Sequence, residues 1–147
     1  MVTPSSHINK FISEQIKDVR ELQLEAFDIA GEIAVKNQTL AHKYKNQTGN
    51  LSSSIGFLVL DDGRVYSRGG FEKTPSADGE AIDGAQGIKD GKEFIESLSN
   101  QYPNGQVLIV VAGMEYAVHV EKMGLDALTT AELIAEKTVN KLLKVIK

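Results

Sequence analysis

The sequence contains no cysteine, and this absence excludes a disulfide framework, a thiolate zinc site and a cysteine nucleophile. Acidic residues outnumber basic ones by 20 to 16, so the chain lacks the overall basic excess that duplex-DNA binding normally requires. The first residues show neither the basic nor the apolar segment of a signal peptide. The longest apolar run, Val107 to Ala112, is far shorter than the roughly 20 residues of a membrane-spanning helix. These absences are compatible with a globular protein in a reducing cytoplasm.

What is present is an ordinary globular composition, with 41% hydrophobic and 24% charged residues over 147 positions. We expect one domain over residues 1–147 with an α+β fold. The predicted fold is a small antiparallel β-sheet of three to four strands, with a long N-terminal helix and a C-terminal helix on one face. A long glycine-rich loop and an extra short helix are inserted. The predicted segments are the N-terminal helix (6–45), the turn and β-hairpin (48–68), the insertion (69–105), and the buried strand, turn and C-terminal helix (106–147).

The first helix is predicted from apolar residues at three- and four-residue spacing. Ser5 or Ser6 is the expected N-cap. Two interpretations stay open: a helix that covers the core, or a self-associating helix whose apolar stripe contacts another copy. The stripe consists of Ile8, Phe11, Ile12, Ile16, Val19, Leu22, Ala26, Phe27, Ala30, Ile33 and Ala34.

The sheet is predicted from turn signals and from β-branched runs. Strands are expected at Ser54–Leu60 and Arg64–Arg68, because the intervening Asp61-Asp62-Gly63 is typical of a hairpin turn. Gln106–Ala112 is almost continuously apolar, which predicts a strand buried on both faces.

Residues 69–87 contain five glycines and no apolar periodicity, so a long, mobile loop is expected there. Helical spacing returns over Ile88–Leu98. A capping box formed by Thr129 and Glu132 predicts the start of the last helix. Its expected apolar face comprises Leu133, Ile134, Val139, Leu142, Leu143 and Ile146.

No residue pattern for chemistry is found, so we expect no catalytic residue, no metal site and no cofactor, and a protein that is not an enzyme. The three histidines are scattered, and the phosphate-loop pattern fails around Gly91-Lys92. Glu121 follows a buried strand and needs a partner if it is half-buried. Arg64 or Arg68 is the expected partner in a structural latch, and an intersubunit contact is the alternative.

Two junction segments resemble a known family. Thr-Gly-x-Leu-x-x-Ser-Ile precedes the hairpin, and Tyr-Ala-x-x-Val-Glu follows the apolar strand. In these features the chain is similar to the small head–tail joining proteins (neck or tail-completion proteins) of tailed phages and prophages. It departs from them in lacking a proline before the last helix and in its long insertion. The residues that carry the resemblance are Thr48, Gly49, Leu51, Ser54, Ile55, Tyr116, Ala117, Val120, Glu121 and Gly124.

The resemblance implies a non-enzymatic virion protein that acts in a ring as an adaptor between head and tail. The implied partners are other copies of the chain and phage portal, adaptor or tail proteins, with passive contact to DNA in a channel, no membrane and no small-molecule substrate. The implied location is the cytoplasm of a bacterial host and then the virion. The alternatives are a small enzyme or ligand-binding domain with a cryptic site in 69–105, and a regulatory nucleic-acid-binding module.

Overall fold

The structure, a computed structural model, describes residues 4–41, 49–73, 84–114, 117 and 128–145. Within these ranges the helices and strands follow one another in the order helix, helix, strand, strand, helix, strand, helix. Their bounds are α1 Pro4–Ala41, α2 Asn50–Ser53, β1 Ile55–Asp61, β2 Arg64–Gly70, α3 Ala85–Ser99, β3 Gln106–Ala112 and α4 Thr129–Val145. The predicted α+β class is therefore confirmed.

The described strands form an antiparallel sheet in the order β2-β1-β3. The hairpin prediction is confirmed, since Asp62 and Gly63 both have positive φ values, 50° and 80°, as a tight type I′ turn requires. β3 has apolar packing on both faces as predicted, since Ile109 and Val111 lie in one cluster and Leu108 and Val110 in another, but most of its residues are only half-buried. β3 lies at an edge of the described sheet, whereas β1 has strands on both sides and is buried along nearly its whole length.

Helices cover both faces of the sheet, because successive residues of a strand point in opposite directions. Ile55, Phe57 and Val59 of β1 pack in one cluster with residues of α1. Leu58 and Leu60 pack in another with Ile95 of α3. The two terminal helices share one face as predicted, since α4 lies beside α1. The inserted helix, expected only as an addition to a loop, covers the opposite face.

The predicted glycine-rich loop is shorter than expected at both ends. Gly69 and Gly70 belong to β2, and α3 begins at Ala85, three residues before the predicted start. Glycine is used there for close packing. A Cβ atom on Gly87 would lie 2.0 Å from the Asn50 carbonyl oxygen, and one on Gly91 would lie 2.5 Å from the Ser54 carbonyl oxygen. The rest of the predicted loop, residues 74–83, lies outside the described residues.

The ends of the two long helices differ in detail from prediction. α1 begins at Pro4, a favoured first helical residue, so Ser5 and Ser6 lie within its first turn. The first turn of α4 receives a cap from α1, since the Ala131 amide donates to Oε1 of the buried Gln38 at 3.1 Å. Ala131 and Ala135 pack against Ala34, while Leu133, predicted on the apolar face, is 51% exposed. Small alanines allow the helices to approach closely, which a search for large apolar residues overlooks.

Candidate functional site

The first half of α1 projects from the body of the protein. Residues 5–19, here called the arm, are exposed at every position, and their length is about 22 Å at about 1.5 Å per residue. Apolar side chains lie along one side of it; Phe11 is 62% and Ile16 is 63% exposed. We call this set the arm stripe: Ile8, Phe11, Ile12, Ile16 and Val19. Of the two interpretations left open for α1, a helix that covers the core does not hold for this half, and self-association stays a prediction.

The second half of α1 is buried over a wider part of its circumference than the predicted stripe. Ala26, Ala30 and Ala34 of that stripe are buried there, on the same side of the helix as the arm stripe. Leu24, Val35 and Gln38, which were not in the predicted stripe, are also buried, and they lie between about 110° and 170° away from the centre of the arm stripe. In this half the body therefore covers the small residues of the stripe and a second side of the helix.

A cluster of charged and polar groups holds α1 where the arm begins. The Arg20 guanidinium donates to Asp61 and, at 2.7 Å, to Oδ2 of Asp62 in the hairpin turn. Gln106 of β3 donates from Nε2 to the Arg20 carbonyl at 3.0 Å. We call this cluster the Arg20 latch. It fixes the direction in which the arm leaves the body.

The latch changes the ionisation of its own groups. The hydrogen bond from the Gly105 amide, at 2.7 Å, and then the Arg20 guanidinium lower the pKa of the Asp62 carboxyl. The pKa of Arg20 is raised above its usual value, most strongly by its hydrogen bond to Asp61 and next by its hydrogen bond to Asp62. Charge-assisted hydrogen bonds of this kind stabilise both ionised partners. The perturbed groups therefore have a structural explanation.

A groove of about 460 Å³ lies beside the latch. It is lined by Ile16 and Val19 of the arm stripe and by Arg20, Gln23 and Gln106. The exposed apolar surface of the arm therefore continues to the point where the helix meets the sheet.

The two junction segments singled out in the sequence come together where they are described. Gly49 adopts a left-handed conformation before α2, and Leu51 packs with Ala117. Ser54 donates to the Leu51 carbonyl at 2.7 Å and accepts from the Gly113 amide at 3.1 Å. Ile55 opens β1 as a core residue. The remaining predicted motif positions, Thr48, Tyr116, Val120, Glu121 and Gly124, lie outside the described residues.

This junction presents little polar surface for chemistry. Ser52, Ser53 and Ser54 are buried. Arg68, a predicted partner of Glu121, donates to Glu96 of α3 at 3.1 Å between two exposed side chains. The proposed Glu121 latch itself stays a prediction.

The region 69–105, expected as the place of a cryptic site, borders a cleft of about 410 Å³. Gly69, Gly70, Phe71 and Glu72 line it from the sheet side, and Glu32, Val35, Lys36 and Thr39 line it from α1. Among residues 4–41, 49–73, 84–114, 117 and 128–145, no three histidine, aspartate or glutamate side chains are grouped so as to hold a metal ion.

Helices on both faces of an antiparallel sheet, together with an exposed helical arm, define an α+β protein with an unpaired apolar helix surface among its described residues. Residues 5–125 match the family described as OmpA-like transmembrane domain, and the chain belongs to that family. The match starts in the first turn of α1 and ends before α4, so it includes the arm, the sheet and α3. No curated protein and no solved structure matches the chain. Among the described helices, none combines the length and the hydropathy that a bilayer crossing requires.

The family match corrects the identification made from the junction segments. An OmpA-like family is an outer-membrane family, so membership of the phage and prophage head–tail joining proteins is wrong. The same match overturns the predicted virion role and the predicted portal and tail partners. It also overturns the exclusion of a membrane partner and the predicted cytoplasmic and virion location. The physical reason is that Thr-Gly-x-Leu-x-x-Ser-Ile and Tyr-Ala-x-x-Val-Glu are short turn and packing patterns. The described parts of both serve the junction of α2, β1 and β3, a local structural task.

Proposed function

We propose that the protein is a non-enzymatic, envelope-associated protein that binds a lipid surface through its arm. The observation that carries the proposal is the arm stripe, a row of large apolar side chains on a helix that the body leaves exposed. Exposed apolar patches of this kind mark protein or membrane interaction sites. Of these two kinds of partner, protein and membrane, membership of an outer-membrane family favours the membrane.

The geometry of the arm suits a helix lying in the plane of a lipid interface. At about 100° per residue the five side chains of the arm stripe fall within about 140° of the helix circumference. Polar residues occupy the remainder, as in interfacial amphipathic helices. The arm is also continuous with a helix segment that is already folded, so it avoids the cost of helix nucleation that makes short isolated helices marginal.

The energy available is sufficient for reversible attachment. Burying a Val, Ile or Phe side chain completely contributes about 1.5–3 kcal/mol. The stripe residues are between 40% and 63% exposed, so each contributes about 1 kcal/mol and the five together about 5 kcal/mol. The gross energy corresponds to a Kd of about 0.2 mM before other terms are counted.

A non-enzymatic role is supported by the explanation found for the charged residues. The lowered pKa of Asp62 arises in the Arg20 latch, where a hairpin turn and a helix are held together. In this proposal the latch keeps the arm pointing away from the body, so that a flat surface can reach the stripe.

The test is co-sedimentation of the purified protein with phospholipid vesicles. The double variant Ile12→Ser, Ile16→Ser removes two stripe side chains that pack little on the body, so we expect normal folding and at least a roughly tenfold loss of vesicle binding, about 1.4 kcal/mol or more. Leu133→Ser is the matched control, since Leu133 is 51% exposed on α4, away from the arm. It should bind vesicles like the unaltered chain.

Two results would contradict the proposal. One is equal sedimentation of the double variant and the control. The other is an unaltered chain that does not bind vesicles but forms a dimer, detected by light scattering, that the double variant does not form. That result would assign the arm stripe to contact with a second copy.

A further inference from the structure

We infer that the arm recognises gaps between lipid headgroups, as found on curved surfaces, and is indifferent to anionic headgroups. The inference rests on the proposed function and specifies the kind of lipid surface. Three features of the arm carry it: the balance of its charges, their position around the helix, and the character of its neutral polar residues.

The charges of the arm cancel. Lys10 and Lys17 are offset by Glu14 and Asp18, and His7 is counted as neutral. The whole chain has a formal net charge of −4. Binding driven by anionic lipid needs a basic excess near the surface, and neither the arm nor the chain supplies one.

The positions of these charges strengthen the argument. Taking about 100° per residue, Lys17 and Lys10 lie about 170° from the centre of the arm stripe, on the side away from a bound surface. Asp18 lies only about 90° from that centre, beside Phe11. With the stripe buried, the lysines are separated from the headgroups by the helix diameter of about 10 Å, comparable to a Debye length. The charge nearest to the bound surface is then the acidic Asp18, so anionic headgroups add no attraction to the binding.

The remaining polar residues of the arm are small or neutral. Asn9 and Ser13 lie on one flank of the stripe, and Gln15 lies within it. Such residues hold no headgroup by charge, so the binding energy comes from burial of the stripe alone. Burial of isoleucine and phenylalanine requires apolar area that the headgroups leave open, and curvature increases this area.

The experiment uses a tryptophan as reporter, because the natural chain contains none. Phe11→Trp places the indole in the arm stripe. Ser13→Trp is the matched control, since it places the same group about 130° from the stripe centre. Each full-length variant is titrated with small and large phosphatidylcholine vesicles, and with vesicles of both sizes that also contain phosphatidylglycerol.

For Phe11→Trp we expect a blue shift of emission and binding about tenfold tighter to small than to large vesicles. Phosphatidylglycerol should change the affinity by less than about twofold. For Ser13→Trp we expect the same affinities, with little or no blue shift.

The outcomes separate this inference from the proposed function. Binding that requires phosphatidylglycerol, or that is equal on both vesicle sizes, overturns the inference and leaves lipid attachment standing. A lack of binding to every vesicle overturns both. Equal blue shifts for the two variants would show that the arm inserts without the orientation on which the inference depends.

Discussion

Replacement of Gly91 by alanine sets two effects of opposite sign against each other in α3. Glycine inside a helix costs about 1 kcal/mol relative to alanine, so propensity alone predicts that Gly91→Ala stabilises the protein. The packing predicts the reverse. The added Cβ would lie 2.5 Å from the Ser54 carbonyl oxygen and 2.7 Å from Cε1 of Phe71. Gly113, which follows β3 directly, also lies close to Gly91.

The magnitude follows from which neighbours must move. The Ser54 oxygen belongs to the buried junction before β1, and Phe71 is 8% exposed in the cluster with Ile95, so neither can retreat into solvent. Overpacking of this kind costs about 1–3 kcal/mol, occasionally more. After the gain in helix propensity, we expect a net destabilisation of up to about 2 kcal/mol, which lowers Tm by up to about 8 °C.

The assay is urea denaturation followed by circular dichroism, with thermal unfolding alongside. Lys89→Ala, an exposed change in the same helix, is the control and should shift the free energy of unfolding by no more than about 0.5 kcal/mol. A Gly91→Ala variant stabilised by about 1 kcal/mol would refute the described contact between α3 and the sheet.

Two further predictions concern the latch and the helix cap. Since the pKa of Asp62 is lowered in the folded state, its charge contributes stability that is present above its unfolded pKa of about 4 and is lost as the pH falls through the lower folded value. Asp62→Asn should therefore be less stable than the unaltered chain at pH 7, and thermal unfolding should show the difference shrinking at strongly acidic pH; a difference that grows there would contradict the latch. Gln38→Ala leaves the Ala131 amide of α4 without its acceptor and should cost about 1–3 kcal/mol in urea denaturation. The exposed neighbour change Asn37→Ala should cost less than about 0.5 kcal/mol, and equal losses would show that Gln38 does not cap α4.

The local patterns of the sequence were good guides to the individual strands. The Asp-Gly turn fixed the hairpin, because only a few residue types accept positive φ at both central positions. Gln106–Ala112 was predicted with its observed bounds. The order of the strands in the sheet could not be predicted from the sequence. Both β1 and β3 are apolar, and only tertiary pairing decides which of them lies in the centre.

The helices show where pattern reading fails. The glycines up to Gly87 predict a loop, whereas in the fold Gly87 allows α3 to approach Asn50 of α2 closely. In α4 the search for large apolar residues favoured Leu133 and missed the alanines that face α1. These errors share a cause, since small residues carry no hydrophobic signal although they permit the closest contacts.

Only part of the arm's structure could be predicted from the sequence. Its apolar stripe was recognised, but periodicity alone does not distinguish a stripe buried against the body from one that is exposed. Alanines of the same stripe are buried in the second half of α1. Only the tertiary contacts, which include the Arg20 latch, show where the body ends.

Hydrogen–deuterium exchange of the full chain, with and without phosphatidylcholine vesicles, tests the central claim most directly. Every residue of the arm is exposed, so its amides should exchange faster in solution than those of the buried sheet. They should become protected when small vesicles are added, while the sheet and α4 stay unchanged. Arm amides that exchange at the same rate with and without vesicles, or that gain protection with rising protein concentration alone, would contradict the claim that the arm binds lipid.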